Sequence, residues 1–166
     1  FGFSYNYQLV RGASVWSVGL SAKMMQLGLD GSILRTPDGS YEVPNTIIHN
    51  DDLLTPGAVD NSTLSLGAGI FYQSDKIEGG LSARNLNAAV IAFPGVDYVL
   101  NREYHAYLRL KFDLVRNWEL FPLLYAVRDG TQHQTTVGAT FHFRENIFAG
   151  AAYRGYSGPT ADAVVV

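Results

Sequence analysis

Most of this chain alternates between apolar and polar residues with a period of two, the period of a β-strand, whose successive side chains point to opposite faces. In residues 1–9 every odd position is aromatic or aliphatic (Phe1, Phe3, Tyr5, Tyr7, Leu9), and every even one is Gly, Ser, Asn or Gln. Residues 103–114 place Tyr104, Ala106, Leu108, Leu110, Phe112 and Leu114 on one face. Glu103, His105, Tyr107, Arg109, Lys111 and Asp113 take the other. Residues 63–73 and 134–143 alternate as cleanly. Further strands fit 13–29, 77–85, 118–128 and 147–154, and a ninth begins near Ala161. Within 13–29 the phase set by Trp16, Val18, Leu20 and Ala22 changes at Met24-Met25, which predicts a bulge.

The connections alternate in length. Tight turns fall near Arg11-Gly12, Ser74-Asp75-Lys76, Val115-Arg116-Asn117 and Arg144-Glu145-Asn146. Between them lie longer connections at 30–62, 86–101, 129–133 and 155–161. In an antiparallel up-and-down meander, successive connections lie at opposite ends. One end therefore has short turns and the other has loops, the asymmetry of outer-membrane barrels. Strands of about 9–13 residues also suit a tilted membrane strand. The expectation is an all-β, antiparallel up-and-down transmembrane β-barrel. Residues 1–166 form its single domain, and 30–62 form a long acidic extracellular loop. Phe1 and Val164-Val165-Val166 lie in patterned segments, so the expected barrel is incomplete: eight strands and the start of a ninth.

A soluble β-sandwich or lipocalin-like barrel would show the same alternation with the apolar face turned inward. Composition favours lipid on the apolar side. Charged residues make up 16% of the chain, against about 25% in soluble globular domains, and the polar faces are mostly Gly, Ser, Thr, Asn and Gln where a soluble surface carries about 25–35% charge. The strand charges Lys23, Glu78, Arg84, Glu103, Arg109, Lys111, Asp113 and Glu119 share the polar phase. Tyr7, Trp16, Tyr72, Phe112, Trp118, Phe143 and Phe148 cluster beside the short turns, where an interfacial girdle belongs. The apolar fraction of 47% excludes disorder. A net charge of −3 argues against nucleic-acid binding. The absence of Cys excludes disulfides and Cys-based zinc sites. No window approaches the ~18 consecutive apolar residues of a spanning helix.

Residues of chemical interest are few. His49, His105, His133 and His142 show no i, i+2 or i, i+4 spacing that would make a ligand pair. No nucleophile motif accompanies them. The expectation is a protein without catalytic residues, metal or cofactor. In the loop, Asp30, Asp38, Glu42, Asp51, Asp52 and Asp60 face one Arg, Arg35. Acid clusters bind Ca²⁺, but the Asp-Gly pairs Asp30-Gly31 and Asp38-Gly39 are more simply turns. The short turns each carry a cation: Arg11, Lys76, Arg116 and Arg144. The lumen-facing set is Lys23, Glu78, Arg84, Glu103, His105, Arg109, Lys111 and Asp113. Such mixed charges either line a pore or pair across strands and fill a narrow barrel.

Several stretches together resemble one family. They are Gly2-Phe3-Ser4-Tyr5-Asn6-Tyr7-Gln8-Leu9, Val18-Gly19-Leu20-Ser21-Ala22, Leu29-Asp30-Gly31-Ser32-Ile33-Leu34-Arg35-Thr36-Pro37-Asp38-Gly39, Asn50-Asp51-Asp52-Leu53-Leu54, Gly67-Ala68-Gly69-Ile70-Phe71-Tyr72-Gln73-Ser74-Asp75-Lys76 and Ala151-Ala152-Tyr153-Arg154. In this order they resemble the PorP/SprF outer-membrane β-barrels of Bacteroidota, associated with type IX secretion and gliding motility. The resemblance implies a bacterial outer-membrane location, a longer barrel of about 12–14 strands, an even count, and no catalytic residues. It also implies three kinds of partner: outer-membrane lipid, a secreted surface protein or adhesin, and periplasmic or lipoprotein components of the machinery. The expected function is to anchor or present exported proteins. Asp30, Arg35, Asp38, Glu42, Asp51 and Asp52 would meet the cargo, and Arg11, Lys76, Arg116 and Arg144 the periplasmic side. The alternative is an outer-membrane porin or solute transporter.

Overall fold

The computed structural model describes residues 1–42, 47–51, 54, 56–93, 96–144, 146–157 and 163–165. The strands are β1 Gly2–Arg11, β2 Ser14–Asp30, β3 Ala58–Gln73, β4 Ile77–Arg84, β5 Val90–Phe93, β6 Val96–Val99, β7 Glu103–Leu110, β8 Phe112–Asp113, β9 Trp118–Arg128, β10 His133–Phe143, β11 Ile147–Ser157 and β12 Ala163–Val165. One antiparallel sheet runs β1-β2-β3-β4-β7-β9-β10-β11-β12, with β8 also on β9; β5 and β6 form a separate hairpin. The main order is that of an up-and-down meander, and it does not close on itself. Eight long strands and a short ninth match the sequence pattern.

Cross-strand register joins the apolar positions into one continuous face. Tyr5 pairs with Leu20 and Tyr7 with Val18; Val18 continues to Ile70, and Ile70 to Leu81. Leu108 pairs with Leu124, Leu124 with Val137 and Val137 with Tyr153. Among the described residues no second layer covers this face: Leu20 and Leu81 are 61% and 62% exposed. A soluble sandwich buries such residues against a second sheet, and soluble monomers rarely expose apolar patches beyond a few hundred Å². The uncovered apolar face is therefore the surface a membrane strand turns to lipid.

The sheet coils toward its polar face. An ideal Cβ on Gly138 would stand 2.7 Å from the Cβ of Ala152, its cross-strand partner. One on Gly69 would stand 3.1 Å from the Cβ of Ser82, likewise its partner. Facing Cβ atoms ordinarily keep about 4.5–5.5 Å. Crowding of this kind on the polar side makes that side concave and explains why glycine occupies it.

Four expectations need correction. The ladder runs unbroken from Lys23 opposite Ser65 to Asp30 opposite Ala58, so no bulge lies at Met24-Met25. The phase changes chemically instead. Beyond Met24 the former apolar face carries Gln26, Gly28 and Asp30, while Met25, Leu27 and Leu29 take the concave side. Second, β3 begins at Ala58, so the acidic connection spans 31–57 rather than 30–62. Third, the 86–101 connection contains the β5–β6 hairpin, which turns toward the concave face: Asn61, on that face of β3, donates its side-chain N–H to Ala92 O. Ala89, Ile91 and Leu100 there are the buried apolar residues among those described. Fourth, 103–114 is interrupted at Lys111. Phe112 faces Leu120 in the same register that puts Arg109 opposite Leu123, so Leu110 meets Pro122, which has no N–H for the ladder.

Candidate functional site

Three regions carry polar chemistry: the concave face, the 31–57 loop and the short turns. On the concave face, Glu78 and Arg109 are direct cross-strand partners, with Arg109 Nη1 3.7 Å from Glu78 Oε2. Arg84 and Glu103 are partners one level nearer the loops, at 3.8 Å. Lys111 Nζ lies 2.5 Å from Glu119 and 3.7 Å from Asp113. Lys23 stands between Gly2 and Ser65 on the same face. The eight residues expected in the lumen thus share the concave side, and all but Lys23 join an ion pair or, for His105, a carboxylate contact.

On the same face, His105 Nε2 lies 3.4 Å from Glu103 Oε2 and its Nδ1 3.0 Å from the Tyr125 hydroxyl, with Ser82 as its cross-strand partner. A second aromatic group lies nearer the turns. His142 sits 4.3 Å from the Phe121 ring and 4.6 Å edge-on to Phe148, and Arg109 lies 4.6 Å over Phe121. Phe148 therefore faces the concave side, as cross-strand partner of His142, and does not belong to the outer girdle. The remaining girdle positions stand on the apolar face, with Trp16 4.6 Å from Tyr72 and Trp118 4.8 Å from Phe143. Between the charged levels, a trough of about 590 Å³ is lined by Ser17, Gly19, Gly69, Ser82, Tyr107 and Tyr125 among others.

The loop is built around a knot that the sequence did not reveal. The Tyr41 hydroxyl accepts from Thr36 N at 2.8 Å and lies 3.0 Å from His49 Nδ1. Thr36 Oγ1 donates to His49 O, and Ser40 bridges Ile48 through two backbone bonds. His49 is only 3% exposed, and among the described residues its Nε2 has no hydrogen-bond partner. Arg35 stacks its guanidinium 4.2 Å over the Tyr41 ring. Asp38 offers its carbonyl to Asn50 Nδ2 at 2.6 Å. Asp30 closes β2 and accepts from the hydroxyl and backbone N–H of Ser32. These bonds hold its carboxyl below the usual carboxylate range. Glu42 and Asp51 are exposed, and Asp52 lies outside the described residues. The acids are not gathered: among the described residues no group of three or more His, Asp or Glu is arranged to hold a metal ion.

The four turn cations share one end of the sheet. Arg11 pairs with Ser14 where β1 turns into β2. Lys76 O accepts from Lys111 N at 2.8 Å. Arg116 and Asn117 have φ of 60° and 65° and form a tight hairpin. Arg144 N donates to Asn117 O at 3.1 Å, which joins the two neighbouring turns.

A single curved meander with a continuous uncovered apolar face, aromatic pairs at its short-turn edge and charges on its concave side defines part of an up-and-down transmembrane β-barrel. The family described as "Type IX secretion system membrane protein PorP/SprF" matches residues 1–166. The chain belongs to that family. No curated protein and no solved structure matches it.

Proposed function

We propose that this protein is a non-enzymatic barrel of the bacterial outer membrane that holds an exported surface protein at its loop end. Its turn end would meet periplasmic or lipoprotein components of the secretion and gliding machinery. The observation that carries the reading is the organisation of the 31–57 loop. A passive connection has no need of a buried histidine tied to a tyrosine and a threonine. Such a knot holds the loop in one shape and lowers the ordering cost of binding. It presents the Arg35–Tyr41 stack and the carboxylates of Asp38, Glu42 and Asp51 to an external partner. Arg11, Lys76, Arg116 and Arg144 give the other end a cationic surface, which steers acidic partners in a salt-sensitive way.

The paired charges of the concave face support a filled interior over a conducting one. The trough of about 590 Å³ favours the second reading, a porin or solute transporter. Removing the loop tip between Leu34 and Leu54 separates the two. The barrel still inserts, because exposed loops tolerate shortening, and surface retention of the exported protein falls. Unchanged retention at normal barrel levels excludes the loop as the binding element. Unchanged retention with altered small-solute permeability replaces the anchor with the porin.

A further inference from the structure

Arg128 occupies a position that the membrane reading does not explain. It ends β9 on the apolar face, following Leu124 and Ala126, with Tyr104 opposite on β7 and His133 opposite on β10. Trp118 and Arg128 bound this 11-residue strand, which places them about 25 Å apart along a barrel axis at the usual tilt. Trp118 marks one membrane boundary, so Arg128 and Tyr104 mark the other, at the loop end. Among the described residues no hydrogen bond or ion pair engages Arg128. Its neighbour Asp129 is committed elsewhere, accepting from Thr131 N at 2.9 Å and Gln132 N at 2.8 Å.

A second cation stands beside it. Arg102 donates Nε to Leu86 O at 3.0 Å, and among the described residues its terminal nitrogens have no partner. Arg102, Arg128, Tyr104, Asn101 and Asp129 line one depression of about 390 Å³, with the Asp129 carboxylate held by the N–H groups of its own turn. A second depression, of about 520 Å³, lies on the apolar face between Ile70, Leu81 and Tyr104, over a floor of Ala83, Ala106 and Ala126. Tyr104 and Arg128 line both, which sets the two side by side. The floor follows from register: Ala106 pairs with Ala126 on β7 and β9, and Ala68 with Ala83 on β3 and β4.

We propose that this is a binding site for an anionic, phosphate-bearing lipid. Its phosphate would sit between Arg102 and Arg128, and one acyl chain would lie in the alanine groove. Arginine presents paired N–H donors that match phosphate oxygens, and cationic pockets at a membrane boundary recognise lipid headgroups. The groove opens on the face turned to lipid, where acyl chains are the available occupants. The proposal rests on the apolar face lying in the membrane, and it is independent of what the loop binds.

The test uses the intact protein in nanodiscs of phosphatidylcholine and phosphatidylglycerol, released into native mass spectrometry to count the lipids retained. Phosphatidylglycerol is expected to be retained about tenfold in preference to phosphatidylcholine, the scale of one charge-assisted contact. The preference disappears in Arg102→Gln/Arg128→Gln and in Ala106→Phe, which fills the groove. It persists in Arg128→Lys, and in Arg154→Gln on the concave face. Each variant is first shown to be folded by its heat-dependent gel mobility, and Ala126→Leu replaces Ala106→Phe if that variant does not fold. No preference in the unaltered protein overturns the proposal, as does a preference indifferent to the two arginines. A preference that survives groove filling and is abolished by excess inorganic phosphate identifies a free-phosphate site and overturns the lipid.

Discussion

Leu108→Arg discriminates most sharply between a lipid-facing and a water-facing apolar surface. Leu108 lies midway along β7–β8 on that face, between Tyr104 at the loop end and Phe112 at the turn end. Four residues in each direction at 3.3 Å and a 40° tilt put it about 10 Å from either belt. Its partners are Gly79 and Leu124, and no cation acceptor shares its face there. A charge at that depth in a barrel costs about 2–4 kcal/mol, part of which snorkelling recovers. The corresponding shift in the folding constant is roughly 30- to 1,000-fold. If water covered this face, the same change at a 40% exposed position would stay within about 0.5 kcal/mol. Arg109→Gln, one residue on, removes the 3.7 Å pair with Glu78 and the contact with Phe121. Both groups are partly solvated, so the loss is about 1 kcal/mol or less. The assay is reversible urea unfolding from lipid vesicles, followed by the fluorescence of Trp16 and Trp118. A Leu108→Arg variant that folds within 0.5 kcal/mol of the parent would falsify the lipid-facing assignment.

Further outcomes follow from the same structure. Gly138→Val forces a branched side chain against Ala152 Cβ, already 2.7 Å from an ideal Cβ; an overpacking loss of about 1–3 kcal/mol should appear in the same unfolding assay. Tyr41→Phe deprives Thr36 N and His49 Nδ1 of their shared partner. It should open the loop to limited proteolysis while the heat-dependent gel mobility of the barrel is unchanged. The Asp129 carboxyl is held below its ordinary 3.8 by the backbone N–H groups of Thr131 and Gln132. Its contribution to the 129–132 turn is therefore complete above pH 3.8 and is lost as pH falls through the lower folded value. Amide protection at Thr131 and Gln132, measured against the intrinsic exchange rate at each pH, should fall there, and protection unaffected by acid would remove the carboxylate from the account.

The strands were legible because a membrane sheet has one constraint per residue, which face it turns to lipid, and Tyr104 to Phe112 satisfy it without exception. What periodicity could not supply was the cause of a departure from it. The phase change at Met24-Met25 suggests a bulge, but β2 and β3 pair on in register while the 86–101 segment turns toward the concave side. Phe148 was assigned by proximity to a turn, yet register with His142 puts it on the opposite face. The loop acids were visible as composition. The atoms that order the loop were not, because the contacts among Thr36, Tyr41 and His49 depend on a backbone path with no period. Arg128 is legible in the sequence: it continues the apolar phase of Leu124 and Ala126, and a charge in that phase marks a membrane boundary.

The anchoring role is tested most directly by detergent co-purification of the intact protein from native membranes, with the bound chains identified by mass spectrometry. The expected result is an exported surface protein bound stoichiometrically to the barrel, lost when the tip between Leu34 and Leu54 is removed, and no ion conductance from the purified barrel in planar bilayers. A barrel that purifies without an exported partner and conducts ions would contradict the anchor and establish a pore.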